Sequence, residues 1–254
     1  MSSRSRTGYD GGVEWPLVLH SGAGRARVRP WWHDTTVAQI TFADHGEVPS
    51  STGLRVWLCE LRARGFASVR SGAVSEASAD TLQRQGFHVV QRLHLLDLSL
   101  VGWQAPHDKA LRTTQLRVRD RPAAADVDRA AFGDPWAIDT VGISETCSAT
   151  PAHRSRAIDG AQLGCDGLVG YAVTGRANYT GYLQRLAVEP EVQARGVGWS
   201  LTRDSLTWMQ KRRLTRAMVN THIDNDVALG LYRRFGFRVL PQGLVVLARG
   251  LDDL

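Results

Sequence analysis

The sequence predicts an α/β protein with a mixed sheet, built as a tandem repeat whose N-terminal copy is incomplete. Three observations predict it. Strands and helices alternate along the second half of the chain, a glycine-containing loop joins one strand to the next helix, and a faint repeat runs at an offset of 150 residues. We expect a largely antiparallel sheet with one right-handed parallel crossover, from Leu186–Val188 to Ala217–Val219.

Hydrophobic periodicity and turn residues place the individual elements. In the first half we expect a helix, a strand, a short helix and a strand at about Leu54–Arg64, Ala67–Val74, Ala79–Gln85 and His88–Leu98. In the second half we expect strands at Leu116–Val118, Leu168–Val173, Gly181–Val188, Arg216–His222 and within Phe237–Ala248, and helices at Ala123–Phe132, Trp199–Arg213 and Asp226–Arg234. Gly175–Thr180 reads as a hairpin turn, and Ala157–Asp159 is a poor strand candidate.

The internal repeat places Arg64–Phe87 over Leu214–Phe237 without a gap. Both copies contain a Gly-Phe pair near the end, at Gly86 and Gly236. Shared ancestry and chance both account for so weak a match. We therefore predict a degenerate half domain at residues 1–100, a linker at 101–114 and a complete domain at 115–254.

A six-residue loop, Gln193-Ala194-Arg195-Gly196-Val197-Gly198, lies between the apolar run Leu186–Val188 and a predicted helix. Amides at a helix start have no intrahelical partner, and the helix dipole attracts anions to them. Gly196 and Gly198 allow close approach of a ligand to the backbone because they carry no Cβ. The loop is typical of a phosphate site, although a helix-starting turn without a ligand would look similar.

The loop and the later segment Asn225–Phe237 together resemble the GNAT superfamily of CoA-dependent N-acetyltransferases. That family has a Q/R-x-x-G-x-G/A loop after its fourth strand and an N-x-x-A-x-x-x-Y-x-x-x-G-F-like segment after its fifth. Both segments occur here in that order. The resemblance implies a GNAT-like fold with acetyl-CoA as cosubstrate and without a metal. The first half has Glu47–Gly53 in place of the loop and Leu82 in place of Tyr232, so it is expected to lack acyl-CoA chemistry and to serve in packing or in shaping the acceptor site.

The resemblance also implies where acetyl-CoA binds, at the point where two neighbouring parallel strands separate. Backbone groups of one strand would pair with the pantetheine arm and the acetyl carbonyl, and loop amides would bind the pyrophosphate. Asn225 would lie near the pantetheine amides. The cofactor-binding residues implied are Leu186, Ala187, Val188, Gln193, Ala194, Arg195, Gly196, Val197, Gly198, Trp199 and Asn225.

Tyr232 aligns with the family tyrosine that protonates the leaving CoA thiolate. A phenol with an ordinary pKa near 10 is mostly protonated at neutral pH and can donate. A core tyrosine that packs between helix and sheet is the alternative.

The general base is less clear. Some family members use a glutamate on the fifth strand, where this chain has Asn220. His222 lies two residues further on the same sheet face and is a candidate base or a hydrogen-bonded surface residue. A chain of water molecules would also serve.

The acceptor side is expected at the first helix pair and its loop, where Phe132, Trp136 and Glu145 fall. Glu145 would attract an amine, or would be an ordinary solvated charge. We expect an N-acetyltransferase that acts on a primary amine of a small molecule or a protein, by direct attack on the thioester. Candidate acceptors are a protein α-amine, an aminoglycoside or a polyamine. A non-catalytic acyl-CoA-binding or regulatory module is the alternative, and a homodimer is possible.

Composition limits the remaining classes of function. The chain of 254 residues is 43% hydrophobic and 22% charged, as in ordinary globular proteins. No apolar run approaches the roughly 20 residues of a membrane span, and no apolar segment follows the N-terminal Met1–Arg6. Cys59, Cys147 and Cys165 are scattered, without disulfide or zinc spacing. We therefore expect a cytoplasmic protein that binds no membrane.

The chain is basic, with a net charge of +6 and a pI of about 9.7. The basic residues are spread along the chain and form no clustered stripe. Nucleic acid is therefore not an expected partner. The charge fits a solvated surface, or attraction to CoA phosphates or to an acidic acceptor.

Overall fold

The computed structural model describes residues 15–22, 24–42, 48–106 and 110–252. The chain divides into two compact units, which we call the first unit (Met1–Gln91 with Val245–Leu254) and the second unit (Arg92–Leu244). Met1–Arg6 and Glu47, which entered the sequence analysis, lie outside the described residues. The division into residues 1–100, 101–114 and 115–254 stays a prediction.

The described residues form thirteen strands and six α-helices in chain order. The strands are β1 (Leu17–Ser21), β2 (Gly24–Pro30), β3 (Val37–Phe42), β4 (Ser68–Ser71), β5 (Val74–Ser75), β6 (His88–Ser99), β7 (Thr114–Gln115), β8 (Ala152–Asp159), β9 (Leu168–Ala177), β10 (Thr180–Val188), β11 (Arg216–His222), β12 (Arg238–Val239) and β13 (Leu244–Gly250). The helices are α1 (Ser51–Ala63), α2 (Glu76–Gln83), α3 (Arg121–Phe132), α4 (Thr140–Ser148), α5 (Val197–Lys211) and α6 (Asp226–Arg234).

The first unit contains a mixed sheet with helix α1 packed against it. Its strands run in the order β1-β2-β3-β4-β13, and β3 pairs with β4 in parallel while the other neighbours are antiparallel. Helix α1 buries Leu54, Trp57 and Leu61 against the sheet. The C-terminal strand β13 therefore completes the sheet of the N-terminal residues.

The second unit contains the sheet order β6-β11-β10-β9-β8-β7, with β12 paired to β6. Only the β10–β11 pair is parallel among these described strands. Side chains alternate between two cores, as strand geometry requires. Ala172 of β9 packs in the core that includes α5, whereas its neighbours Tyr171 and Val173 pack in the core that includes α3 and α4. The sheet thus has α5 on one face and the α3–α4 pair on the other.

The two segments that align at an offset of 150 residues have similar local geometry. Helices α2 and α6 begin at Glu76 and Asp226, which correspond at the offset of 150 residues. Each helix is followed by a glycine with positive φ, at +84° in Gly86 and +94° in Gly236. The next amide closes the turn in both copies, because Phe87 N donates to Leu82 O (3.2 Å) and Phe237 N donates to Tyr232 O (3.1 Å). Leu82 and Tyr232 therefore occupy equivalent positions.

Several element predictions match the structure and some were wrong. Strand β11 and helix α6 have the expected bounds. The expected strand at Leu116–Val118 is wrong, because the short strand lies at Thr114–Gln115 and a 3-10 turn follows at Val118–Asp120. The hairpin turn shrinks to two residues, since β9 reaches Ala177 and β10 begins at Thr180.

The segment expected as a linker, 101–114, belongs to the second unit. Its described residues are tied to helix α5: Leu111 N donates to Ser200 Oγ (2.8 Å) and Thr113 Oγ1 donates to Asp204 Oδ2 (2.8 Å). No helix among the described residues is long and apolar enough to cross a membrane.

Candidate active site

The parallel strands β10 and β11 separate halfway along their length. Their paired register runs from Thr180–Arg216 to Leu183–Val219 and ends there. Strand β10 then shifts register between Leu183 and Arg185 and continues in contact with β9 alone. A β-bulge of this kind bends its strand away from a neighbour. The separation leaves one edge of β10 facing a gap, as the sequence analysis expected.

The hydrogen-bond alternation shows which backbone groups face this gap. Glu189 N donates to Val169 O (3.0 Å), which makes this opposite pair a hydrogen-bonded one. Such pairs alternate along an antiparallel ladder, so Ala187 directs its backbone groups toward β9. Leu186 and Val188 consequently direct theirs into the gap. Two of the three strand residues predicted to bind the pantetheine arm thus have suitably oriented backbone groups, and Ala187 does not.

The glycine loop leads into α5, and the first residues of α5 lie beside the end of β10. Ala194 has a φ of +59° and Gly196 a φ of +88°, and Gly196 is the N-cap of α5. No side chain caps this helix among the described residues. Within the described part of the chain, the first amides of α5 therefore have no capping side chain, as an anion site requires.

The two glycines of the loop have different surroundings. A Cβ built on Gly196 would meet no described atom within 4 Å, so this position faces open space. A Cβ on Gly198 would lie 3.3 Å from Leu231 and 3.7 Å from Val188, whose backbone faces the gap. Gly198 therefore allows α5, α6 and the end of β10 to pack closely. These residues fit a pyrophosphate. The uncapped amides at the start of α5 lie beside the open space at Gly196 and close to the unpaired edge of β10.

Other side chains of the loop fix its shape. Gln193 Nε2 donates to Val188 O at 3.5 Å. Arg195 donates from its guanidinium to Leu163 O at 2.7 Å, in the turn that precedes β9. The Arg195 side chain is thus occupied in anchoring the loop.

Val197 and Trp199 are core side chains, so any role in the predicted cofactor site would fall to their backbone groups. Val197 is 1% exposed and packs under β9, where a Cβ on Gly170 would lie 2.5 Å from it. Trp199 is 8% exposed and stacks on Phe235 with ring centroids 4.1 Å apart.

Tyr232 lies in α6 with its side chain buried, 4% exposed, and its ring 5.7 Å from that of Phe237. Burial raises its pKa above the ordinary value, and the positive charge of Arg185 partly opposes this rise. The hydroxyl of Tyr232 therefore stays protonated at neutral pH, which suits a hydrogen-bond donor.

Asn225 is the N-cap of α6, and its Oδ1 accepts a hydrogen bond from Ala228 N (3.0 Å). The side chain is half-buried, and its oxygen is already used within the protein. A role toward the pantetheine amides would fall to its remaining groups.

The candidate base is not oriented for that task. His222 is half-buried, and its Nδ1 accepts a hydrogen bond from Asp224 N (3.2 Å). In neutral imidazole the proton then lies on Nε2, so the free nitrogen is a donor. Asn220 is exposed on the same strand and offers no basic group. Among the described residues, no cluster of His, Cys, Asp or Glu is placed to hold a metal.

The expected acceptor side contains a buried ionic network that the sequence analysis missed. Asp128 of α3 is fully buried and accepts two hydrogen bonds from Arg185 and one from the hydroxyl of Tyr171. Arg185 lies 3.7 Å over the ring of Phe132 and donates to the carbonyl of Trp136. Glu145 is exposed on α4. The available signal was Asp128 on the apolar side of α3, next to Val127 and Ala124, and an arginine inside a strand.

Comparison with known proteins agrees with this geometry. The sequence model of the acetyltransferase (GNAT) family matches residues 123–237. The chain is 29% identical over 188 residues to a mycothiol acetyltransferase of Pseudarthrobacter chlorophenolicus, covering 68% of this chain and 58% of that protein. It is 30% identical over 190 residues to a mycothiol acetyltransferase of Renibacterium salmoninarum, covering 69% and 56%.

The chain thus spans less than two thirds of the length of these relatives. The fold is similar to that of a tandem GNAT protein from the clavulanic acid biosynthesis pathway, with a TM-score of 0.63 and 16% identity over 92% of this chain and 81% of that one. Residues 123–237, which contain the loop and the separated strands, thus form a domain of the acetyltransferase (GNAT) family.

Proposed function

We propose that this protein transfers an acetyl group from acetyl-CoA to a primary amine. One observation carries the proposal: the uncapped start of α5 adjoins the edge of β10 from which Leu186 and Val188 direct their backbone groups into the gap. The first feature matches a pyrophosphate and the second an extended chain of amides, and CoA contains both in succession.

The chemistry requires little from the side chains. The neutral amine attacks the thioester carbonyl, the C–N bond forms, the C–S bond breaks, and the nitrogen loses its excess proton to water. Backbone amides at the edge of β10 would polarise the carbonyl and fix its position. Tyr232 would donate a hydrogen bond to the leaving sulfur, because burial keeps its phenol protonated.

The acceptor is proposed only as a class, a primary amine on a small molecule or a protein. Two relatives bear the name mycothiol acetyltransferase. We therefore include the deacetylated form of mycothiol in a panel with aminoglycosides, polyamines and peptides that have a free α-amine.

A non-catalytic acyl-CoA-binding module is the second candidate. The exposed Asn220 and the orientation of His222 favour it, since neither supplies a base. This candidate predicts acetyl-CoA binding without release of CoA thiol in the presence of any amine of the panel.

The first experiment is calorimetric titration of acetyl-CoA into wild type, Gly196→Ala and Gly102→Ala. Gly196 and Gly102 have similar φ angles, +88° and +71°, and a Cβ on either would meet no described atom within 4 Å. Both variants therefore lose a similar stability, about 1–2 kcal/mol, through backbone strain. Only the Gly196 methyl enters the proposed pyrophosphate space, so only that variant should lose about tenfold or more in affinity. Absence of binding to the folded wild type would remove the proposal.

We also propose that the first unit binds no acyl-CoA. Its helix α1 begins after Ser50, whose Oγ accepts a hydrogen bond from Gly53 N (3.3 Å). A Cβ on Gly53 would collide with the side chain of Ser21, so this helix start is closely covered. Titration of acetyl-CoA into the Gly196→Ala variant tests this proposal. A second site that binds acetyl-CoA with unchanged affinity in this variant would contradict it.

A further inference from the structure

An ion pair joins β10 to α3 under the sheet of the second unit. Arg185 donates from Nε to Asp128 Oδ2 (2.8 Å) and from a terminal nitrogen to Oδ1 (2.5 Å). The hydroxyl of Tyr171 donates to the same carboxylate (2.6 Å). Burial alone would lower the pKa of Arg185, but the hydrogen bonds and charge of Asp128 outweigh it and the pKa is raised. Arg185 therefore stays charged at neutral pH.

The same pair holds the backbone of the segment between α3 and α4, residues 133–139. Ile138 N donates to Asp128 Oδ1 (2.7 Å), and Arg185 donates to Trp136 O (3.0 Å). The guanidinium also lies over Phe132, at the end of α3. Each charged group thus makes one contact to this backbone and two to its ionic partner.

The position of Arg185 in β10 gives this arrangement its significance. Arg185 immediately precedes Leu186, whose backbone faces the gap, and lies at the register shift that separates β10 from β11. A side chain at this point connects the strand edge proposed for acetyl-CoA with the segment expected on the acceptor side. Burial of an ion pair costs free energy, which is compensated only when both groups are fully hydrogen-bonded. An apolar contact at the same place would stabilise the fold equally well, so stability alone does not explain the Arg185–Asp128 pair.

We propose that Arg185 and Asp128 are positioning residues for the acceptor. They fix the 133–139 segment against β10, so that the acceptor amine meets the thioester in the correct orientation. This inference rests on the proposed acetyl transfer. It assigns the pair to the orientation of the acceptor and leaves acetyl-CoA binding to the loop and the strand edge.

The test compares Arg185→Lys, Arg185→Met and Asp128→Asn with the control Asp204→Asn. Asp204 accepts hydrogen bonds from Arg154 (2.8 Å) and Thr113 on the other face of the same sheet, so its loss removes a comparable ion pair away from the site. Three quantities are measured: hydrogen exchange of the 133–139 amides, the acetyl-CoA Kd, and kcat and KM for the best acceptor of the amine panel.

We expect faster exchange at 133–139 and a rise of about tenfold in acceptor KM for the three site variants, with the acetyl-CoA Kd within about twofold of wild type. Lysine should not rescue the acceptor KM, because its single ammonium cannot replace the bidentate contact and the bond to Trp136 O together. The control Asp204→Asn should lower the free energy of unfolding, but it should neither speed exchange at 133–139 nor raise the acceptor KM.

Unchanged exchange at 133–139 in all three site variants would overturn the inference, even if no acceptor is found. So would an equal effect on acceptor KM in the control, or full rescue by lysine. Failure of wild type to bind acetyl-CoA would instead overturn the proposed function, because the exchange measurement needs no ligand.

Discussion

Ser75 and Asn225, which are 150 residues apart, cap helices α2 and α6 in the same way. Ser75 Oγ accepts a hydrogen bond from Ser78 N (3.3 Å) at the start of α2, and Asn225 Oδ1 accepts one from Ala228 N (3.0 Å) at the start of α6. Both side chains satisfy an amide that the helix itself leaves unpaired. Asn225 therefore has a structural role that is separate from any role toward acetyl-CoA.

This pair of caps allows the two roles of Asn225 to be tested apart. Ser75→Ala and Asn225→Ala should each lower the free energy of unfolding by about 1 kcal/mol. Asn225→Ser should keep the cap and lose the amide group. If Asn225 contacts the pantetheine arm, Asn225→Ser weakens acetyl-CoA binding several-fold while Ser75→Ala leaves the Kd unchanged. Wild-type affinity in Asn225→Ser would limit this residue to capping.

The role of Tyr232 is tested by Tyr232→Phe, with Tyr179→Phe as the matched control. Tyr179 is 72% exposed at the tip of the β9–β10 hairpin. Removal of the Tyr232 hydroxyl should lower kcat by about tenfold to a hundredfold while the acetyl-CoA Kd stays nearly constant, because the hydrogen bond to sulfur strengthens as charge develops. Steady-state kinetics and calorimetry measure the two quantities. A kcat equal to that of the control would show that Tyr232 is a packing residue.

The hydrogen bonding of His222 gives a prediction on its part in the reaction. Its Nδ1 accepts a backbone hydrogen bond, so the geometry disfavours a role as base. His222→Asn should therefore keep kcat within about threefold of wild type, as measured by steady-state kinetics. A loss of about a hundredfold or more in kcat, with the acetyl-CoA Kd unchanged, would identify His222 as the base.

The sequence indicated the local geometry of the glycine loop and of α6 better than the contacts between α3 and the sheet. The glycine loop, Asn225 and Tyr232 belong to short continuous patterns, in which local geometry determines the position of each residue. Asp128 and Arg185 are 57 residues apart and meet only through the packing of α3 on the sheet. A single sequence does not show which distant charge each of them meets, so their pairing could not be predicted from spacing.

Strand β8 was underestimated for a similar reason. Arg154 and Arg156 point to the α5 face of the sheet, where both lie close to Asp204. An apolar-polar alternation is the usual signal for a half-buried strand. Here charged residues occupy the inward positions and are compensated by a helix that follows about 50 residues later. Long-range charge pairing thus concealed the strand pattern.

Stability at alkaline pH should depend on the buried tyrosines. Burial raises the pKa of Tyr232, and burial followed by the charge of Asp128 raises that of Tyr171. A tyrosine in the unfolded chain titrates near pH 10. Between pH 10 and the higher folded pKa values, the unfolded state therefore binds fewer protons than the native state, and the free energy of unfolding falls as pH rises. Below pH 10 these two groups contribute no such dependence.

Urea unfolding at a series of pH values from 8 to about 11 measures this slope. Tyr232→Phe removes one of the two ionisable groups, so the free energy of unfolding should decline less steeply above pH 10 than in wild type. Tyr179→Phe, which changes an exposed tyrosine, should retain the wild-type slope. A Tyr232→Phe slope that equals the wild-type slope would mean that the hydroxyl of Tyr232 reaches solvent in the folded protein. The tyrosine would then be open to the gap before acetyl-CoA binds, and its protonation would follow the pH of the medium.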